Sequence, residues 1–258
     1  MQKIKTKILQ YLIEVLVIII GILIAFSLDN WNQSRNERKL EKEILSQIKE
    51  DLTFTLEDMK NDFIIHQIAL QSHVKIDSFL ENQAYNTKDL TFDFFWIKED
   101  EYIFPNKTGY EMLESFGTNL ITSKEIRTTI SYIYNHDFPR ITKGNNLFPD
   151  INLFLAPYFQ KNFKINSDTS LEYILKLDDN YTIKYPREVK LGDVSYKELI
   201  GYQPIDAEAL ATDEEFKFLM SEAKRFRGYK YRIYSNAIHH IEELLVMMEL
   251  DENHKEER

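Results

Sequence analysis

The sequence predicts a mainly α-helical protein. An N-terminal transmembrane helix continues into a long amphipathic stalk helix, which packs against a long C-terminal helix, with a smaller helical middle layer and little β structure. Three observations predict this. Residues 8–28 read ILQYLIEVLVIIIGILIAFSL, 21 residues with a single charged side chain, Glu14. From Ile22 to Phe104, 83 residues, there is neither glycine nor proline. Apolar residues also recur at spacings of three and four in two long stretches, one near each end of the chain.

The first segment fits a bilayer core of about 30 Å, which needs roughly 20 apolar residues as a helix. Tyr11 and Trp31 lie about 30 Å apart at helical rise, the separation of two interfacial aromatic belts. Lys3, Lys5 and Lys7 form a basic flank over residues 1–7 and favour a cytoplasmic N-terminus, with the domain on the far side of a bacterial inner membrane. Arg35, Arg38, Lys39 and Lys42 weigh the other way. Two competitors share this segment. Ala25-Phe26-Ser27 has the form of a signal cleavage site, although the apolar run is longer than a signal core. Tyr11–Val17 is similar to the start of type IV pilins, but Leu9-Gln10 stands where pilin processing needs glycine, and Glu14 is fourth rather than fifth from Tyr11. Glu14, Gly21 and Ala25 share one helix face, and Gly21-x-x-x-Ala25 is a small-xxx-small pattern that lets two helices approach. Glu14 either belongs to that association face, couples a proton or ion, or leans toward the headgroups near Lys7 and Gln10.

Beyond the span, Leu45, Ile48, Leu52, Leu56, Met59 and Phe63 form the stalk stripe, and the stalk is expected over residues 29–85. It is either one rod with the span or broken near Asp29-Asn30 or Asn61-Asp62. Residues 86–250 form the helical soluble domain. Its aromatic stretch Asp89–Phe104 partly alternates and reads as extended. Thr108 caps a helix over Gly109–Phe116 that Gly117 stops, and Ser123 caps another over Lys124–Asn135. Phe138-Pro139 and Phe148-Pro149 bracket a loop, and Asp150 caps a helix from Ile151 to about Phe163. Tyr181–Tyr185 and Val189–Leu191 read as short strands, and Asp193–Tyr202 as a short helix. From Asp213 to Leu250 the stripe returns through Phe216, Leu219, Ala223, Phe226, Tyr234, Ile238, Ile241, Leu245 and Met248. Residues 251–258, DENHKEER, read as a disordered tail.

Composition narrows the function. A net charge of −10 argues against nucleic acid as a partner, and the absence of cysteine removes disulfides, thiol nucleophiles and Cys-based metal sites. No phosphate loop, catalytic triad order or paired-carboxylate motif stands out, so neither enzymatic activity nor a cofactor is expected. Histidines invite a metal reading that the spacing weakens. His239 pairs with Glu242 or Glu243 along a helix, yet the adjacent His239-His240 diverge, and a solvated face is expected. His66 and His73 lie seven residues apart on one stalk face, with neither His nor Cys at i+3 or i+4, so a two-ligand site is not expected. Arg225, Arg227, Lys230 and Arg232, interleaved with Phe226, Tyr229, Tyr231 and Tyr234, are the one basic-aromatic cluster. They either pair with the stalk's carboxylates or form an anion or partner patch.

The run Glu14-x6-Gly21-Ile22-Leu23-Ile24-Ala25, then Asn30-Trp31-Asn32 and a charged helix, resembles a family of bacterial single-pass membrane proteins found mainly in Bacteroidota. Tyr110–Gly117 resembles it too, with Phe116 interrupting the family's usual Ser-Gly pair. Ile121–Tyr134 and the Arg/Tyr-rich helix from Arg225 to Tyr234 extend the resemblance. It implies a retained anchor. It brings no activity and no catalytic residues, because the family is a domain of unknown function.

The leading expectation is a membrane-anchored, non-enzymatic scaffold or accessory subunit of an envelope complex. It would associate through the span and stalk with its own copies or an envelope protein. The rival is a sensor or ligand-binding protein with a pocket in residues 92–163.

Overall fold

The computed structural model describes the backbone of residues 2–82, 86–145, 147–177 and 181–256, and side chains within the two long helices from Leu16 to Glu81 and up to Asn253. Helix α1 runs from Gln2 to Asn82, 81 residues without a break. At 1.5 Å per residue it is about 120 Å long. Neither Asp29-Asn30 nor Asn61-Asp62 interrupts it. The C-terminal helix α8 covers Glu214–Glu256 and packs antiparallel against the outer half of α1. Ion pairs Lys42–Glu252, Lys49–Glu249, Lys60–Glu242 and Lys224–Asp77 track this register along the seam. They are largely exposed, so each contributes at most about 1 kcal/mol; apolar burial holds the pair together.

That burial falls into separate cores. Toward the N-terminal end of α1, the stalk stripe Ile48, Leu52, Leu56 and Met59 packs with Leu113, Ile130, Phe138, Ala237, Ile241 and Leu244. At the far end, Ile76 and Phe79 meet Phe94, Leu155, Phe159, Phe216 and Ala223. The middle layer consists of short helices: α2 (Asp93–Trp96), α3 (Thr108–Phe116), α4 (Lys124–Tyr132), α5 (Phe138–Ile141), α6 (Ile151–Asn162) and α7 (Ala207–Thr212). Thr108 does not cap α3 but is its first residue, its N–H donating to Asn106 Oδ1 at 3.2 Å; other expected caps hold. Gly117 ends α3 at φ 93°, Ser123 Oγ accepts from Ile126 N at 3.4 Å, and Asp150 Oδ1 accepts from Leu153 N at 3.1 Å. Helix α3 presses closely on α1. A Cβ at Gly109 would lie 2.6 Å from the backbone nitrogen of Ile48. Gly109→Ala is therefore expected to force the helices apart and destabilise the domain by about 1–3 kcal/mol, measured as a lowered urea midpoint.

Several local expectations are corrected. Asp89–Lys98 is not extended: turns and α2 fold it, with Phe94 N bonded to Leu90 O at 2.9 Å, and only the end of the stretch pairs as a strand would, through a single bridge from Ile103 to Thr142. Phe94 and Trp96, two residues apart, are both buried, with Ile97 beside them, which mimics alternation in the sequence, while Phe104 stays exposed. Phe138-Pro139 does not begin the expected loop: α4, a π-helical turn over Ile133–Asp137 and α5 run on without a break to Ile141, and the loop follows. The expected helix at Asp193–Tyr202 is β structure. Gly192 at φ 61° turns the chain between β4 (Arg187–Leu191) and β5 (Val194–Glu198), pairing Leu191 with Val194. Strand β1 (Phe163–Ile165) pairs with β6 (Tyr202–Pro204), and β2 (Tyr173–Lys176) with β3 (Thr182–Tyr185). At the C-terminus α8 continues through Glu256, into the stretch expected to be a disordered tail.

Candidate functional site: a charged layer between two apolar cores

Between the two cores the seam changes character. On α1, Asp62, His66, Ser72 and His73 are buried, and on α8 so are Arg227, Lys230 and Tyr234. The segment after α2 supplies Asp100, whose side chain is 1% exposed. Spacing puts these residues on the core stripes of their helices, so folding carries the charges inside.

Asp100 is the hub. Its Oδ1 accepts from Lys230 Nζ at 2.6 Å and lies 3.8 Å from Arg227 Nη1. Its Oδ2 accepts from Tyr102 OH at 2.9 Å and Ile151 N at 3.0 Å. The Lys230 ammonium also sits 3.3 Å from the centre of the Tyr102 ring. Arg227 donates through Nη2 to Ile97 O at 3.1 Å, and through Nη1 to His66 Nδ1 at 3.1 Å. A guanidinium can only donate, so His66 Nδ1 accepts and its proton sits on Nε2. Tyr234 OH donates to Asp62 Oδ2 at 3.2 Å. His66 Nε2, both ring nitrogens of His73 and Arg227 Nε make no hydrogen bond to protein.

Burial dominates the electrostatics. It pushes the Asp62 carboxyl up to about 7, with the carboxylates of Glu101 and Asp58 adding to the rise. It pulls the Lys230 ammonium down to about 8 against the attraction of Asp100. His73 falls to about 3, and His66 drops well below its ordinary value; burial comes first in both, and Arg227 adds to it. Both imidazoles are therefore neutral near pH 7. Glu99 and Glu101 are raised, again chiefly by burial. Clusters of perturbed groups of this kind concentrate at functional sites, although structural networks produce them too.

The predicted basic-aromatic patch is thus divided. Arg227 and Lys230 point into the charged layer, whereas Arg225 and Arg232 face outward around an open hollow with Leu147, Phe148 and Tyr229. Arg225 is held by Glu222, its Nη2 2.7 Å from Oε2, and Arg232 lies over the Tyr229 ring at 5.2 Å. Adjacent residues on a helix face different ways, which a run of letters conceals. His239 pairs with Glu243 at 3.3 Å on the surface, while Glu242 is engaged by Lys60 at 2.7 Å. Among the described residues no three metal donors come together. From residues 92–163, Phe138 is buried in one core and Phe94 and Phe159 in the other, both shared with α1 and α8.

One further constellation was not anticipated. A π-helical turn over Ile133–Asp137 follows α4 and buries Asp137. Its carboxylate is met by His136 Nδ1 at 3.0 Å and His240 Nδ1 at 2.8 Å, beside Tyr132 on an open groove. The adjacent His136-Asp137 pair was the only sequence trace of it.

At the other end, Gly21 and Ala25 are exposed on α1, with nothing within 4 Å of a Cβ built on Gly21. Trp31 is exposed too. The side chains of Glu14 and Tyr11 lie outside the described residues. Among those described, α1 is the one helix long and apolar enough to cross a membrane, and none of its apolar window is buried in the domain. These features define a helical bundle built along one long rod with a candidate span at its end. No protein-family model, curated protein or solved structure matches the chain.

Proposed function

We propose that this chain is a retained single-pass protein of a bacterial inner membrane, N-terminus inside, that works by association as an accessory or scaffold subunit. The family resemblance of the span and of Asn30-Trp31-Asn32 supports a retained anchor. The observation that carries the reading is the continuity of α1: one unbroken helix bears the candidate span and becomes the central strut of a packed domain. Any displacement of the span would be transmitted to the charged layer without a hinge. Buried ionic groups contribute little net stability and are best attested as register-setting devices. In this reading Asp100, Arg227 and Lys230 hold α1 and α8 in one alignment.

Self-association belongs to the span more than to the stalk. The stalk's apolar stripe is consumed inside its own domain, and its outer face carries exposed Glu43, Glu50 and Glu57 at heptad spacing. Two copies anchored side by side would oppose these carboxylates. Gly21→Ile fills the close-approach face and is expected to weaken self-association in detergent or bilayers; unchanged association would remove the Gly21/Ala25 face from the account.

In-cell crosslinking of the tagged full-length chain, followed by mass spectrometry, tests the reading. It predicts links from the span and from residues 29–39 just beyond it, either to a second copy or reproducibly to one envelope protein. Recovery of the chain alone would contradict it.

A further inference from the structure

Residues 29–39 of α1 form a neck between the candidate span and the domain, exposed on every side. Charge on this neck is segregated. Trp31, Arg35, Arg38 and Lys42 recur at spacings of four, three and four, so they share one face, with Lys39 at its edge. Asp29, Gln33 and Glu37 lie on the opposite side, where Gln33 donates to Glu37 at 2.9 Å. The Arg35 guanidinium lies 5.9 Å from the Trp31 ring centre, joining the aromatic residue and the cations into one surface. Lys42, the outermost, is paired with Glu252. The stalk residues that enter the core, Ile44, Ile48 and Leu52, project to another side of the helix; Arg38 and Lys42 border Asp251 and Glu252 at the end of α8, while Trp31, Arg35 and Lys39 are exposed among the described residues.

Direction adds to composition. Helical side chains lean toward the helix N-terminus, and the N-terminus of α1 is its bilayer end. Arg35, Arg38 and Lys39 start about 6 to 12 Å above Trp31 along the axis and reach back toward the headgroups. At physiological ionic strength the Debye length is about 8 Å, so these cations lie within range of a charged surface.

We infer that the Trp31/Arg35/Arg38/Lys39 face of the neck is a docking surface for anionic phospholipid headgroups, onto which α1 leans as it leaves the bilayer. The inference rests on the membrane-anchored reading. It assigns the neck a partner, and it selects the direction in which the rod tilts. Cations near an anionic leaflet contribute additively, so the lean grows with the anionic lipid content and fades with salt.

The chain has no cysteine, so Ser34→Cys creates one site for a nitroxide on the edge of this face. The full-length labelled chain would be placed in nanodiscs of phosphatidylcholine alone, and in nanodiscs of equal parts phosphatidylcholine and phosphatidylglycerol. Collisional relaxation by oxygen and by a neutral nickel chelate then reports depth. The expected result is loss of nickel access in the anionic discs only. That loss should be reversed by high salt and abolished by combined Arg35→Gln, Arg38→Gln and Lys39→Gln. Equal nickel access in both lipids, or a loss that survives the triple substitution, overturns the docking surface while leaving the anchor intact. A chain that fails to enter the discs at all would instead overturn the anchored reading.

Discussion

Asp100→Ala is expected to cost about 3–5 kcal/mol, the range for stripping one partner from a buried ion pair. Typical domains hold only about 5–15 kcal/mol, so the loss is a large share of the whole. Alanine leaves Lys230 and Arg227 buried without their closest anion and withdraws the acceptor of Tyr102 OH and Ile151 N. The deficit has a pH signature. Lys230 is already drawn down to about 8 by burial, and without Asp100 it falls further. Its folded-state affinity for a proton is then well below that of the unfolded chain. Stability of the variant should therefore recover as pH rises from neutrality toward the ordinary lysine range, because the unfolded chain holds the extra proton. Replacing the pair together, Asp100→Leu with Lys230→Met, should restore part of the loss. Urea unfolding of the full chain in detergent, followed by the emission of buried Trp96, measures all three proteins. A deficit below about 1 kcal/mol, the scale of a surface ion pair, would show that the layer is not a coupled ionic unit.

Asp62→Asn is expected to stabilise the fold at pH 8 by a few kcal/mol, at about 1.4 kcal/mol per pKa unit. The wild-type carboxyl is raised from 3.8 to about 7 by burial, with Glu101 and Asp58 adding to the effect. The folded state thus binds a proton that the unfolded state releases between roughly pH 4 and 7, and this contribution to stability declines as pH rises through that window. His73 works in the opposite sense. With its folded-state value near 3, it contributes stability above the unfolded histidine range, which is lost as pH falls. The two windows overlap, so the wild-type profile conceals both. The difference between variant and wild type isolates Asp62: near zero at pH 4, rising to a plateau above pH 7. Asparagine still accepts the Tyr234 hydroxyl, so packing is retained. A difference that does not change with pH would assign the effect to packing and remove the titration.

The long elements were legible because their physics is periodic. Leu45 through Phe63 and Phe216 through Met248 keep the helical stripe, and both stripes are the faces that pack. Caps at Ser123 and Asp150 were legible because a side chain and a backbone amide three residues on are close in sequence. The charged layer was only half legible. The cluster at Arg225–Arg232 stood out, and pairing with stalk carboxylates was one of the readings offered for it. The partner that matters, Asp100, comes from a turn more than a hundred residues away, and Asp62 and His66 look like ordinary polar positions on a stripe. Which of four basic residues turn inward depends on the rotation of α8, set by the whole seam. In the β4–β5 hairpin the first strand is legible at Val189–Leu191, but the second reads as a helix, because the reversal rests on Gly192 in a left-handed φ followed by Asp193, a signal of only two residues.

The association reading and the inferred neck surface both require that α1 be retained as a membrane anchor with the domain outside. Alkaline carbonate extraction of cells expressing the full-length chain with a C-terminal tag, paired with protease treatment of intact spheroplasts, tests that requirement most directly. The account predicts a full-length chain that stays in the carbonate pellet and a tag that is lost when protease is added outside. A tag released into the carbonate supernatant on a chain shortened near Ala25 would contradict it.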